Sequence, residues 1–191
     1  MQQPDLYSFA TVLKCSNCNT EYSISEIHSV SPCCNQPLLV EYDHPATFLK
    51  EDLAGRENNL WRYFEMLPVK DINNIISLGE GFTPILPLKK LSAKYGYSSI
   101  LMKDESHNPT GSFKARGISV AISKAKELGI EKFIIPTAGN AGGALAAYCA
   151  KAAMECIVIM PAHTPAIFKD ECEMYGAKLV TVKGLINDCA K

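Results

Sequence analysis

"EKFIIPTAGNAGGALAAYCAKAAMECIVIMPA", residues 131–162, sets two short apolar runs, "EKFIIPTA" (131–138) and "ECIVIMPA" (155–162), around a stretch rich in alanine and glycine. Each run starts near a charge and stops at a turn residue, the pattern of a strand. The stretch between them, "NAGGALAAYCAKAAM", has the length and spacing of a helix. Strands joined by such a helix pair in parallel through a right-handed crossover. The alternation continues on both sides. "SSILMKDE" (98–105) leads into "SFKARGISVAISKAKELG", where Ile118, Ala121, Ile122 and Ala125 share one helical face. "PAIFKDECEMYG" leads into "AKLVTVKG" (177–184). The fold class is α/β, with open parallel sheets flanked by helices, and its ligands are expected at the carboxyl ends of the strands.

Two loops lie at such ends. After 98–105 comes "SHNPTGSFK": Gly111 lets the backbone turn tightly, Ser112 is a helix N-cap, and Lys114 falls at the helix start. A lysine serving only solubility does better at the other end of a helix, whereas one meant to condense with a carbonyl gains from this place. After 131–138 comes "TAGNAGG", in which Thr137, Gly139, Asn140 and Gly142 offer a hydroxyl, a carboxamide and backbone amides. Such a loop suits a carboxylate or a ring oxygen at a helix N-terminus. The plainer reading, that Asn140 caps the helix and the glycines permit close packing, stays open at this point. Asp104 and Glu105 read either as an acid/base pair or as solvated, capping residues, and His107 as a turn residue facing water. No GxxxxGK[ST] occurs, "GNAGG" lacks the GxGxxG spacing, and His28, His44, His107 and His163 form no HExxH.

The remaining features bound the function. In 191 residues, 47% are hydrophobic and the net charge is −1, which allows a sizeable core and offers no field for nucleic acid or an anionic membrane. No run approaches the roughly 20 apolar residues of a membrane span. With no signal-peptide pattern at "MQQPDLYSFA", a cytoplasmic protein is expected. Of the eight cysteines, Cys149, Cys156, Cys172 and Cys189 read as small buried hydrophobes. The other four lie in residues 12–42, a zinc-ribbon-like module. Its first knuckle, Cys15 and Cys18, is well formed. The second, "SPCCNQPL", has Ser31 where a thiol should stand and adjacent Cys33 and Cys34, a pair expected to have difficulty aiming both sulfurs at one ion. The expectation is therefore a degenerate module without a stoichiometric metal. Residues 43–77 read as a mostly helical connecting segment in which Trp61, Tyr63, Phe64, Met66 and Leu67 form a packing surface.

Three motifs, "LGEGFTPILPL" (78–88), "LMKDESHNPTGSFKARG" (101–117) and "IPTAGNAGGALAAYCAKAAM" (135–154), together closely resemble the threonine synthases, pyridoxal-phosphate enzymes of the tryptophan-synthase-β-like fold. The resemblance covers almost the whole chain, and a cysteine-bearing N-terminal module occurs in one branch of that group. It implies that Lys114 bonds covalently to pyridoxal phosphate and moves protons on the substrate. It further implies that Asn140 lies beside the cofactor ring oxygen and that Thr137, Gly139 and Ala141 receive the substrate carboxylate. The implied reaction converts O-phosphohomoserine and water to threonine and phosphate. Many relatives carry aspartate where Ala115 stands, though small residues occur there too. Arg116 either holds an anion or ties its helix to the sheet. Serine or threonine dehydratase, cysteate synthase and diaminopropionate ammonia-lyase activities would use the same lysine and asparagine, and a non-catalytic binding or assembly role is the reading of another class.

Residues 78–191 read as the N-terminal part of the catalytic region, with "VKGLINDCAK" inside a further helix. The expectation is that this piece alone is inactive, holds the cofactor weakly, and either is poorly soluble or pairs, as a homodimer, through an open edge.

Overall fold

The computed structural model describes residues 7–43 and 49–191. His44 and the start of the 43–77 segment therefore fall partly outside the described residues. The chain divides into two compact units. One comprises residues up to Ile76 together with Val120–Glu131, and the other Ser77–Ser119 with Lys132–Lys191.

The first unit begins with an antiparallel sheet of order β2-β1-β3, formed by β1 (Ala10–Cys15), β2 (Glu21–Ser23) and β3 (Leu38–Tyr42). Cys33 and Cys34 depart from expectation. Despite their adjacency, the four sulfurs of Cys15, Cys18, Cys33 and Cys34 lie within 4.8 Å of one another. Among its described residues, the segment read as mostly helical holds three short 3-10 turns, Lys50–Leu53, Leu60–Met66 and Ile72–Asn74. Trp61, Phe64 and Val69 are buried there against Leu60, Leu67, Ile75 and Val120. Glu65 is buried too, and Arg56 meets it with two hydrogen bonds of 2.7 and 2.8 Å. A paired fork of this kind is how a carboxylate is accommodated away from water.

The second unit contains β4 (Ile85–Pro87), α1 (Lys89–Tyr95) and β5 (Leu101–Lys103). It also contains the start of α2 (Lys114–Glu127), whose later turns belong to the first unit. Then come β6 (Lys132–Pro136), α3 (Asn140–Ala152), β7 (Glu155–Pro161), α4 (Ala166–Met174) and β8 (Lys178–Val182). The parallel sheet has the order β6-β7-β8, with Ile135 opposite Val158 and Ile159 opposite Val180. The strand expected at 98–105 does not join it. Only Leu101–Lys103 is extended, and it pairs antiparallel with β4, Leu86 facing Met102. Pro84 and Pro87 hide β4 in the sequence, because proline is at home only on an edge strand. Near the C-terminus a single 3-10 turn, Ile186–Asp188, follows β8. Among the described residues no helix is long and apolar enough to cross a membrane.

Small residues set how closely α3 approaches the sheet. On β7, Cys156, Val158 and Met160 alternate inward. A Cβ on Gly142 would stand 2.8 Å from Met160 Cε and 2.9 Å from Thr137 Cγ2, separations no close-packed interior holds. Next to it, a Cβ on Gly143 would meet the Glu171 carboxylate of α4 at 2.0 Å. Burial raises the pKa of that carboxyl. Cys149, Cys156, Cys172 and Cys189 are all buried, as the sequence indicates.

The same unit buries one carboxylate completely. Glu80 has no exposed surface, and accepts from Tyr148 Oη (2.5 Å), Ser119 Oγ (2.5 Å), the Leu78 amide (2.9 Å) and Ser77 Oγ (3.2 Å). Burial, and then the carboxylate itself, push the Tyr148 phenol upward, so it stays protonated and donates. Tyr148→Phe removes one donor from a carboxylate that water cannot reach. It is expected to lower unfolding stability by about 1–3 kcal/mol, read as a lower denaturant midpoint at unchanged slope.

Candidate active site

The loop after β5 is a chain of hydrogen-bonded turns. Asp104 accepts from the Ser106 amide and hydroxyl at 3.1 and 2.6 Å, which makes it a turn cap. His107 stays 63% exposed, 3.5 Å from Asp104. Asn108 uses its whole side-chain amide: Nδ2 donates to Glu105 O and Oε2 at 2.9 and 2.8 Å, and Oδ1 accepts from the Gly81 amide at 3.0 Å. Thr110 (φ 60°, ψ 23°) and Gly111 (φ 64°) then both enter the left-handed region. Glycine does this freely, while a β-branched residue there is strained by about 1–3 kcal/mol. The double turn brings Ser112 to the head of α2, where its Oγ accepts from the Lys114 amide at 3.3 Å.

Lys114 is thus the first residue of α2, with an exposed side chain. Among the described residues its ammonium forms no ion pair. It lies 4.6 Å from the centre of the Phe113 ring. The second loop is built to match. Thr137 is buried, and the Gly139 amide donates to its Oγ1 at 3.3 Å. Gly139 stands before α3, the Gly142 amide returns to the Gly139 carbonyl at 3.0 Å, and Asn140 and Ala141 open the helix. The first amides of a helix have no partner within it. Asn140 is exposed, and its carboxamide makes no hydrogen bond to the described residues. The turn Pro109–Gly111 packs against α3, so the two loops adjoin.

These residues fit an aldehyde cofactor with an anionic substrate. An amine unencumbered by a carboxylate, an unengaged carboxamide and open helix amides are the donor set such a pair needs. Asn140 does not cap α3: Gly139 occupies the N-cap position and Asn140 is the first residue of the helix.

Arg116 and Glu105 resolve into a framework. Arg116 Nε and Nη2 donate to the two oxygens of Glu105 at 2.6 and 2.9 Å. Thr83 Oγ1 donates to Glu105 Oε1 at 2.6 Å, and Lys103 Nζ reaches Thr83 Oγ1 at 2.5 Å. Arg116 therefore ties α2 to the loop after β5. Its fork and the neighbouring donors leave Glu105 no part as a proton acceptor near neutral pH. Neither Glu80 nor the Thr83–Glu105 link was signalled by the sequence beyond the run "LGEGFTP".

The Arg116 guanidinium above all, with Thr83 and Asn108, lowers the Glu105 carboxyl to about 2 from the usual 4.5. A depressed carboxyl stabilises the fold above its unfolded pKa, and this contribution is lost as pH falls through the folded one. Arg116→Met is therefore expected to destabilise most above about pH 4.5, with the deficit against wild type closing toward pH 2. Urea unfolding at a series of pH values reads this difference.

Comparison with known proteins identifies the family. The threonine synthase of Methanocaldococcus jannaschii is 39% identical over 180 residues, covering 92% of this chain and 44% of that protein. That of Methanosarcina acetivorans is 36% identical over 178 residues, with the same two shares. The Halalkalibacterium halodurans threonine synthase is 44% identical over 126 residues, 65% of this chain and 35% of its own. The chain thus spans less than half the length of these relatives. Among solved structures, Escherichia coli diaminopropionate ammonia lyase shares the fold at a TM-score of 0.56 and 21% identity, over 62% of this chain and 36% of that one. Residues 76–191 match the model of one family, described as "Pyridoxal-phosphate dependent enzyme". That match takes in more than half of the chain, including both loops, and the chain belongs to the pyridoxal-phosphate dependent enzymes.

Proposed function

We propose that this chain carries the lysine-bearing part of a threonine synthase, which converts O-phosphohomoserine and water to threonine and phosphate. The observation that carries the reading is the position of Lys114. Its amine stands at a helix start beside an adjoining loop of open donors, within a sequence that aligns over 92% of its length with proteins named threonine synthase. Pyridoxal phosphate, when bound, supplies a carbonyl that condenses with amines and a conjugated ring that takes up negative charge.

The chain's own residues supply the rest. Lys114 is the residue that would hold the cofactor, and its amine is the group placed to move protons at the substrate's α and β carbons. Asn140 would offer its carboxamide to the cofactor as a donor. The amides of Gly139 and Ala141, at the positive end of α3, take the substrate carboxylate. Thr137 fixes that loop from beneath through its bond to the Gly139 amide. Nothing in this set needs nucleic acid or a membrane, and a cytoplasmic setting goes with a soluble substrate. The division into a module at 12–42, a connecting segment at 43–77 and a catalytic region from 78 remains part of this proposal.

The test is phosphate release from O-phosphohomoserine, with the chain joined to the remaining C-terminal portion of the M. jannaschii relative. Turnover is expected, and Lys114→Ala should reduce it by about two to four orders of magnitude. Asn140→Ala should weaken cofactor retention while leaving the covalent link possible. Turnover undiminished in Lys114→Ala, or no phosphate release from any version, would reject the reading.

A further inference from the structure

The two cysteine-bearing turns of the first unit have the same backbone. In the first, the Cys15 amide donates to the Thr20 carbonyl at 2.9 Å, the Asn19 amide returns to the Cys15 carbonyl at 3.0 Å, and Asn19 is left-handed (φ 61°). In the second, the Ser31 amide donates to the Gln36 carbonyl at 2.8 Å, the Asn35 amide returns to the Ser31 carbonyl at 2.8 Å, and Asn35 is left-handed (φ 53°). Residue for residue, Ser31 stands where Cys15 does, Cys34 where Cys18 does, and Cys33 where Asn17 does.

This repeat explains how adjacent cysteines reach one point. The residue before the last in each turn crosses to the opposite turn: Asn17 Nδ2 donates to Cys34 Sγ at 3.4 Å, and Cys33 Sγ lies 3.2 Å from Cys18 Sγ. Four sulfurs bound tetrahedrally at about 2.3 Å from a metal stand about 3.8 Å apart. The observed separations, all within 4.8 Å, are of that size. The Cys18–Cys33 distance is well beyond the roughly 2.05 Å of a disulfide.

We propose that Cys15, Cys18, Cys33 and Cys34 bind one zinc ion, with Cys33 supplying the thiolate that Ser31 does not. Four thiolates in a tetrahedron select a d10 divalent cation over the harder, oxygen-seeking ones. The surroundings are those of bound thiolates. Ser31 is almost fully buried, with its Oγ 3.3 Å from Cys15 Sγ, and accepts from the Gln36 amide at 3.0 Å. Here the Cys15 thiol donates to that Oγ; with the sulfur bound to a metal, the hydroxyl is placed to donate back to it. Lost from the coordination set, Ser31 serves as a partner that orients a ligand. The module also has need of a staple. Between residues 10 and 42 the buried hydrophobic side chains are Ala10, Cys15 and Ile24, a thin core for three short strands.

The full 191-residue chain, purified under reducing conditions without chelator, should contain one zinc per chain by elemental analysis. Replacement by cobalt(II) should give the intense d–d bands and near-ultraviolet sulfur-to-metal charge transfer of four thiolates, a readout independent of catalysis. Cys33→Ser is expected to weaken metal binding at least about tenfold in chelator competition, and Ser31→Cys with Cys33→Ser to restore it. The restoring pair separates a lost ligand from a misfolded module. A reduced chain with neither zinc nor cobalt uptake would overturn the proposal. So would Cys33→Ser binding as wild type does, or a Cys18–Cys33 disulfide in protein kept from oxidants.

Discussion

A carboxylate shut away from water must take all its hydrogen bonds from the protein, and Glu80 takes them from three elements at once. Its partners sit on the loop 77–78, on α2 at Ser119 and on α3 at Tyr148. A buried, unpaired carboxyl group is far costlier than a satisfied one, so these elements must stay in contact. That requirement fixes the run 77–83 against the two helices whose first residues carry Lys114 and Asn140. Glu80 touches neither of them; it acts by holding their scaffold.

A second polar link lies closer to the site. From Lys103 through Thr83 and Glu105 to Arg116, with Asn108 bridging to Gly81, the donors and acceptors are matched in pairs. They absorb the polarity of the loop after β5 and hold the strained Thr110 turn in place. The glycines do the opposite work. Gly142 and Gly143 give up side chains so that α3 can lie against β7 and α4, which brings the open amides of its first turn to the end of the sheet. Rigid backbone and an uncommitted amine together make a place where a carbonyl can be captured.

Much of this was legible in the sequence, and what was not has a physical reason. The runs at 131–138, 155–162 and 177–184 announced the parallel strands because apolar stretches ended at turn residues, and the loop carrying Asn140 followed from the first of them; the loop carrying Lys114 was found from the run 98–105, which the structure pairs antiparallel outside that sheet. Pro84 and Pro87 masked β4, so the partner of Leu101–Lys103 and its antiparallel sense could not be read. Glu80 looked like one more acid in a glycine-rich run, since its partners stand 39 and 68 residues away. Arg116 and Glu105 had two open readings, and only their fork chose between them. In the cysteine module, the adjacency of Cys33 and Cys34 read as an obstacle. The repeat that removes it lies in carbonyl and amide bonds, which carry no side-chain signature.

The central claim is that the amine of Lys114 is where the cofactor attaches. It is tested most directly by incubating the chain with substoichiometric pyridoxal phosphate, reducing with borohydride and mapping the pyridoxyl group by peptide mass spectrometry. The account predicts that the peptide containing Lys114 is labelled ahead of peptides bearing other exposed lysines, and that Lys114→Ala removes this preference. Labelling spread evenly over the surface lysines, or centred on another one, would contradict it.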